Sequence, residues 1–324
     1  MSFNLSLNEC LTPVKFHIFS FSLRPQNNLF LPRFQGTTLR GGFGYAFRRI
    51  VCVLKNHRTC KGCFLATSCP YFRIFESSLK GQGNYFDIKE IPRPFSFILP
   101  FSNKAIEYTQ QDLFTIRLLL FGKAVQEFPY FFLSFQQLSE TGIGKTRAKF
   151  TVEQVIEEYP QQAILFSKGK EELLSCSPAQ PFVSSHSHNA DIKKLRLEFL
   201  SPIRLKFQNK IISFPEFHHI VRSIAHRTSM LAYYWGEQSL DIDWKFYIQA
   251  AEKIKICSRD LEWVDLKRYS SRQKQSMFFG GFVGTILYEG DLAPFFPLIE
   301  IGSYLHIGKN TTFGLGKYSI KETE

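Results

Sequence analysis

The stretch His306-Ile307-Gly308-Lys309-Asn310-Thr311-Thr312-Phe313-Gly314-Leu315-Gly316-Lys317-Tyr318 decides how the chain is read. Its glycines can take a positive φ and let the backbone approach a partner closely, and exposed N–H groups in such a turn form an anion-binding concavity. Lys309 and Lys317 add charge, and Phe313 and Tyr318 offer stacking faces. A dinucleotide fingerprint needs a strand before the glycines, a helix after them and an acidic residue about 20 positions on. Only eight residues follow Gly316, so the loop leads into a last strand, residues 318–320. A polymeric anion such as RNA suits this arrangement better than a buried dinucleotide.

Working outward from that loop, hydrophobic periodicity predicts a strand at 195–207, helices at 214–235 and 244–254, strands at 261–269 and 274–287, and a helix at 292–304. Strand, helix, two strands, helix, strand is the split βαβ, or ferredoxin-like, order. The first half predicts a strand at 14–23, a basic helix at 37–54 capped by Thr37 or Thr38, strands at 95–100 and 113–124, and a helix at 129–138. That helix runs into Gly142-Ile143-Gly144-Lys145-Thr146-Arg147-Ala148-Lys149-Phe150, which echoes the C-terminal loop and suggests a duplicated unit. Serines, prolines and histidines over residues 175–189 read as a linker, giving domains at 1–185 and 190–324.

Bulk properties agree with an RNA partner. At 324 residues the chain is long enough for two domains, and 40 Lys plus Arg against 28 Asp plus Glu give a formal charge of +12. Such a balance favours nucleic acid first and an acidic membrane surface second. Aromatic residues make up 16% of the chain, with 35 Phe, so basic and aromatic side chains interleave as on a single-stranded RNA surface. Most of those phenylalanines must still be core. No basic segment with an apolar core and cleavage site is read at the start, and apolar runs such as 277–288 are too short to span a bilayer. A cytoplasmic protein without a membrane partner is expected.

Cys52, Cys60, Cys63 and Cys69 form C-x7-C-x2-C-x5-C. Four thiolates in so short a span can surround one ion tetrahedrally, so structural zinc is expected, with an iron–sulfur cluster or four unrelated thiols as alternatives. A closed site of this kind pins the end of the basic helix and does not activate water. Cys10, Cys176 and Cys257 stand alone and are read as inert.

Several segments occur here in one order: Leu39-Arg40-Gly41-Gly42-Phe43-Gly44-Tyr45-Ala46-Phe47-Arg48-Arg49 with the spaced cysteines after it, Pro92-Arg93-Pro94-Phe95, and Gly142-Ile143-Gly144-Lys145. Arg268-Tyr269-Ser270-Ser271-Arg272-Gln273, Gly280-Gly281-Phe282-Val283-Gly284 and the C-terminal loop follow. Together they resemble the CRISPR-associated endoribonucleases that process precursor CRISPR RNA, the Cas-six branch of the RAMP superfamily. The resemblance implies an α+β chain of two tandem ferredoxin-like (RRM-like) domains, with the cysteine-rich insertion in the first. It also implies metal-independent cleavage at CRISPR repeats by 2′-OH attack, leaving a 2′,3′-cyclic phosphate.

Such cleavage needs a base for the 2′-OH, a cation for the phosphate and an acid for the departing 5′-oxygen. In the resembled family these groups usually lie around the first helix, which here contains Tyr45 but no histidine; His57 follows shortly after. Tyr45, His57 and His306 are therefore the catalytic candidates. His57 has a rival role as a metal ligand or solvated side chain, and His306 as a residue that hydrogen-bonds the loop or the RNA. RNA contacts are expected from Arg40, Arg48 and Arg49 on the helix, Lys145 and Arg147 in the first glycine turn, Arg268, Tyr269 and Arg272, and Lys309, Asn310 and Lys317 in the last loop. His218, His219 and His226 are read as packing or solvent contacts. The alternative function is a non-catalytic RNA-binding RAMP subunit of a CRISPR effector complex. A membrane-surface or nucleotide-binding protein ranks behind both.

Overall fold

A computed structural model describes residues 6–54, 59–76, 91–102, 104–170, 172–185, 191–270 and 275–322, and for 267–270, 275–277 and 322 it describes the backbone alone. The chain forms two compact units, one of Phe16–Ala179 and the other of Gln180–Glu324 with Met1–Lys15. The short helix Leu7–Leu11, placed in the first domain by linear reading, packs against the last helix of the second unit. Its buried Leu7 and Leu11 need an apolar neighbour, and five residues cannot hold a helix in water unaided.

The unit Phe16–Ala179 is built from β1 (Phe16–Pro25), α1 (Gln35–Val51), β2 (Phe95–Ile98), β3 (Phe114–Phe121), α2 (Phe128–Thr141), β4 (Phe150–Tyr159) and β5 (Ala163–Ser167). The sheet runs β2-β3-β1-β4-β5 and every pairing is antiparallel. Without the extra edge strand β5, this is the ferredoxin-like order. Phenylalanines fill the space between sheet and helices: Phe19 stacks on Phe128 and Phe21 on Phe135 at 4.1 Å between ring centroids. Phe43 and Phe47 of α1 meet Phe131 at 5.5 and 5.1 Å. The phenylalanine excess thus belongs chiefly to the core, where each buried ring contributes roughly 2–3 kcal/mol, and only scattered ones such as Phe30 and Phe64 reach solvent.

Helix α1 begins at Gln35, with Phe34 at its N-cap and no side-chain cap. Neither Thr37 nor Thr38 caps it, because the Thr37 hydroxyl donates back to the Phe34 carbonyl at 3.1 Å. Of its glycines, Gly42 and Gly44 lie close to neighbours: a Cβ would meet Leu138 at 3.1 Å at the first and the Arg40 guanidinium at 2.7 Å at the second.

His17 of β1 is buried with Glu157 of β4, Nδ1 to Oε1 2.6 Å, and the Ser177 N–H donates to the other carboxylate oxygen at 2.9 Å. Burial pushes His17 below its ordinary 6.5, outweighing the pull of Glu157 in the other direction. Above that ordinary value the imidazole is neutral in both states, so the full stability is present. As pH falls below it, the unfolded chain binds a proton that the folded chain resists, and stability is lost towards the folded value. Thermal melts are therefore expected to show a midpoint falling as pH drops below about 6.5. His17→Gln lowers the midpoint throughout but makes it less steeply dependent on pH; an unchanged slope would remove His17 from this role. His219 and His226 are shifted the same way and supply the remaining slope. Burial, then Glu157, pushes the nearby Cys176 thiol up to about 12, which disfavours the reactive thiolate.

The second unit runs β6 (Lys194–Ile203), α3 (Phe217–Trp235), α4 (Trp244–Ala251), β7 (Lys255–Val264), β8 (Gly281–Glu289), α5 (Phe296–Leu305) and β9 (Tyr318–Glu322). Its sheet order, β7-β8-β6-β9, is antiparallel throughout and again ferredoxin-like. The expected strands 261–269 and 274–287 are divided differently. β7 ends at Val264, and a separate hairpin pairs Lys267–Ser270 with Gln275–Phe278. Gly281 opens β8 tight against β6, where a Cβ would lie 2.5 Å from the Ile203 carbonyl. Two further small ladders, Leu29–Leu31 with Ile106–Tyr108 and Leu205–Phe207 with Lys210–Ile212, decorate the units. No helix among the described residues is long and apolar enough to cross a membrane.

Candidate nucleic-acid interface

The two glycine-lysine turns occupy the same place in their units, between α2 and β4 in the first and between α5 and β9 in the second. Their backbones agree closely. Gly142 has φ 76 and ψ 161, His306 has φ 61 and ψ 156, and Gly144 and Gly308 follow at φ 77 and 78. The Ile143 N–H bonds to Ala148, as the Ile307 N–H bonds to Gly316, and Lys145 and Lys309 then face solvent. The echo in the sequence is thus a repeated turn that presents one lysine from each unit.

Within the C-terminal loop, the N–H groups of Ile307, Gly308, Lys309, Phe313, Gly314, Gly316 and Lys317 are all donated inside the unit. They do not form the open anion concavity expected from the sequence. Loop rigidity is what they supply: Gly308 N–H donates to the Ser223 hydroxyl of α3 at 3.2 Å, and Lys309 N–H to the Arg204 carbonyl at 3.1 Å. Phe313 packs on Phe279 at 5.1 Å, and Tyr318 is fully buried with its hydroxyl on the Ile299 carbonyl at 2.5 Å. Tyr318 is therefore not a stacking face. Lys317 Nζ donates to the Ser303 carbonyl at 2.8 Å, Asn310 takes the left-handed conformation at φ 65, and Lys309 projects outward.

His306 also has a different role from the catalytic one expected. It is fully buried, its Nδ1 lies 3.1 Å from the Leu315 carbonyl, and it occupies a backbone region in which the first unit places glycine. That conformation costs on the order of 1–3 kcal/mol for a side chain, offset here by the ring's burial and its bond across the loop. An inaccessible ring cannot take a proton from RNA, so His306 holds the loop.

Sequence reasoning passed over the residues of α3 that brace this loop. Arg227 Nε donates to the Leu305 carbonyl at 2.7 Å, at the end of α5 where a cation offsets the helix dipole, although burial pushes its guanidinium down to about 10. Part of His226 reaches solvent, yet packing around the ring, followed by the charges of Lys309 and Arg227, holds it below the ordinary histidine value. The only signal in the sequence was the i, i+4 spacing of Ser223 and Arg227. His219 accepts the Glu216 N–H at 3.1 Å as part of the helix cap.

In the first unit, Gly41, Tyr45 and Arg49 follow one another at i, i+4 and i+8 and form the solvent-facing stripe of α1. Tyr45 is 69% exposed, and nothing lies within 4 Å of where a Gly41 Cβ would sit. A bare helical glycine costs about 1 kcal/mol relative to alanine, and packing does not account for it here. Arg40 lies instead over Phe75 and Phe95, 4.4 and 5.4 Å from the ring centroids, and Arg48 over Tyr71 at 5.7 Å. These two arginines are engaged with their own unit, which leaves Arg49 as the outward one of the three. Lys145 and Arg147 are exposed in the first glycine turn. His57 and Arg272 lie outside the described residues, as do the side chains of Arg268 and Tyr269 on the Lys267–Ser270 strand.

Residues 197–318 match the profile of the CRISPR-associated endoribonuclease Cas6, and residues 13–178 match the AF_1859_N N-terminal domain. The second unit carries a Cas6 domain. An uncharacterized protein of Archaeoglobus fulgidus is 24% identical, over 99% of this chain and 100% of its own length. Among solved structures, a Thermus thermophilus Cas6 is similar with a TM-score of 0.53 and 12% identity, covering 95% of this chain and 99% of its own. The partial Cas6-RT-Cas1–Cas2 complex is similar at TM-score 0.58 and 12% identity, covering 96% of this chain; the chain spans 46% of that longer one. At these identities the structures speak to the Cas6 fold alone, and they support the two-unit architecture derived above.

Between α1 and β2, the first unit carries the four clustered cysteines. Cys52, Cys60, Cys63 and Cys69 all line one cavity together with Arg48, Thr59 and Tyr71. All four are free thiols, and burial, partly opposed by Arg48, pushes Cys60 upward. Among the described residues no three ligating side chains already stand close enough together to hold an ion.

Proposed function

We propose that this chain is a Cas6 endoribonuclease that cuts precursor CRISPR RNA at its repeats, using the RNA's own 2′-OH as nucleophile and no metal at the reacting phosphate. The observation that carries the reading is the match of residues 197–318 to the endoribonuclease family, on a scaffold whose first helix exposes Tyr45. In the proposed step a base removes the 2′-OH proton and the 2′-oxygen bonds to phosphorus. The bond from phosphorus to the 5′-oxygen then breaks, and an acid protonates that oxygen. The products carry a 2′,3′-cyclic phosphate and a 5′-hydroxyl. Tyr45 and His57 are proposed as the acid and base pair. Arg49, Lys145, Arg147 and Lys309 are proposed to neutralise phosphates, with Lys309 held by the rigid loop behind it. A cytoplasmic site of action and association with other CRISPR proteins go with this reading.

The second reading is a non-catalytic subunit that grips CRISPR RNA in an effector complex. What favours it is that α1, Gln35–Val51, contains no histidine. Incubation of the purified protein with its host's repeat RNA in excess EDTA separates the two. The nuclease reading expects one cut per repeat, and the subunit reading expects tight binding with the RNA intact.

A further inference from the structure

The segment after α1 packs poorly for a chain that is turned so tightly. Val53 and Phe64 are 73% and 79% exposed, and residues 59–70 are held by short turns: Cys63 N–H to the Cys60 carbonyl at 3.2 Å, Ala66 N–H to Cys63 at 3.2 Å, and Cys69 N–H to Leu65 at 2.9 Å. Such turns do not offset the entropy of ordering a loop with so little buried apolar surface. What this loop does bring together is sulfur, on four half-buried cysteines. Its cavity of about 20 Å³, lined by all four clustered cysteines, has room for one water-sized particle. Gly62, at φ 74, gives the tight turn between Cys60 and Cys63.

We propose that Cys52, Cys60, Cys63 and Cys69 close on one zinc ion, and that Arg48 is the counter-charge of that site. Four thiolates around a divalent cation leave two negative charges. Arg48 is the one charged side chain among the residues lining the cavity, and it comes from the turn of α1 whose carbonyl also accepts the Cys52 N–H at 2.9 Å. Zinc of this kind has no open coordination position and supplies no activated water; it staples the end of α1 to the loop. The assignment is independent of the nuclease reading, and it moves Arg48 from the RNA surface to the support of the metal.

Metal analysis of the full chain should find one zinc per chain, released in a chromogenic chelator assay as four thiols are titrated with a mercurial. Cys60→Ser and Cys63→Ser should lose it, and Cys257→Ser should keep it. Replacement by cobalt in the native chain should give the thiolate-to-cobalt charge-transfer and tetrahedral d–d bands, a readout that does not depend on any variant folding. Arg48→Met should retain zinc but yield it to a competing chelator roughly 10- to 100-fold more readily, whereas Arg49→Met should not. Protein that carries no zinc and gives no tetrahedral cobalt spectrum, or that carries iron with sulfide, overturns the zinc site. Equal zinc retention by Arg48→Met and Arg49→Met overturns the role given to Arg48.

Discussion

Tyr45→Phe and His57→Ala are each expected to slow repeat cutting by about 10²- to 10⁴-fold, the range for removing a positioned acid or base, while leaving RNA affinity unchanged. The expectation for Tyr45 rests on where α1 puts it. The helix buries Leu39, Phe43, Ala46 and Phe47, and turns Gly41, Tyr45 and Arg49 to solvent. A phenol that is 69% exposed on an otherwise engaged helix makes no packing contribution that removal of its oxygen would disturb. Tyr45→Phe should therefore melt like the parent, and any loss of cutting is chemical. Single-turnover rates with saturating protein, beside binding curves for the same RNA, check both variants. Parent rates for both would leave the acid and base unassigned, and a loss of binding in step with cutting would make Tyr45 a contact for RNA instead.

Gly316→Ala should have the largest structural effect. Gly316 has φ 84, and a Cβ there would lie 2.0 Å from the Ile307 carbonyl oxygen, which belongs to backbone and cannot swing away. Strain at positive φ and the clash together cost about 3 kcal/mol or more, or roughly 6–12 °C in the melting midpoint of a domain this size. The loss falls on the loop that holds Lys309, so RNA binding should weaken with stability. Gly41→Ala is the opposite control. In open space within a helix it should stabilise by up to about 1 kcal/mol, and if an RNA backbone lies against that bare turn, cutting should drop even as the protein becomes more stable. A melt of Gly316→Ala within a degree or two of the parent would show that the loop does not pack as described.

Much of the architecture was legible because its signals are local. The C-terminal unit announced itself by the order of its elements, and the repeated Gly-Ile-Gly-Lys turn marked equivalent places in the two units. β4 and β5 went unread for a physical reason. β4 carries register shifts against β1, and one of its inward positions is Glu157, a carboxylate that sequence reading places in water but which His17 and the Ser177 N–H accommodate. β7 is an edge strand whose Lys255, Ser258, Arg259 and Asp260 face solvent, so its first half lacks the apolar alternation that marks a strand.

The candidate site was legible by residue type and not by direction. Arg40 and Arg48 look like Arg49 in sequence, and only the phenylalanine and tyrosine rings beside them reveal that they turn inward. His306 and Tyr318 sit in a stretch rich in RNA-binding residue types, yet both are buried and brace the loop from within. The partners that hold that loop, Ser223, Arg227 and Arg204, come from distant elements with no motif to announce them.

The most direct measurement compares repeat RNA with the same RNA carrying a single 2′-deoxy nucleotide at the scissile position, both in excess chelator. The account predicts that the all-ribose repeat is cut to a 2′,3′-cyclic phosphate and a 5′-hydroxyl, and that the deoxy repeat binds equally well and stays whole. Cutting of the deoxy repeat, or cutting that appears only when magnesium is restored, would contradict it.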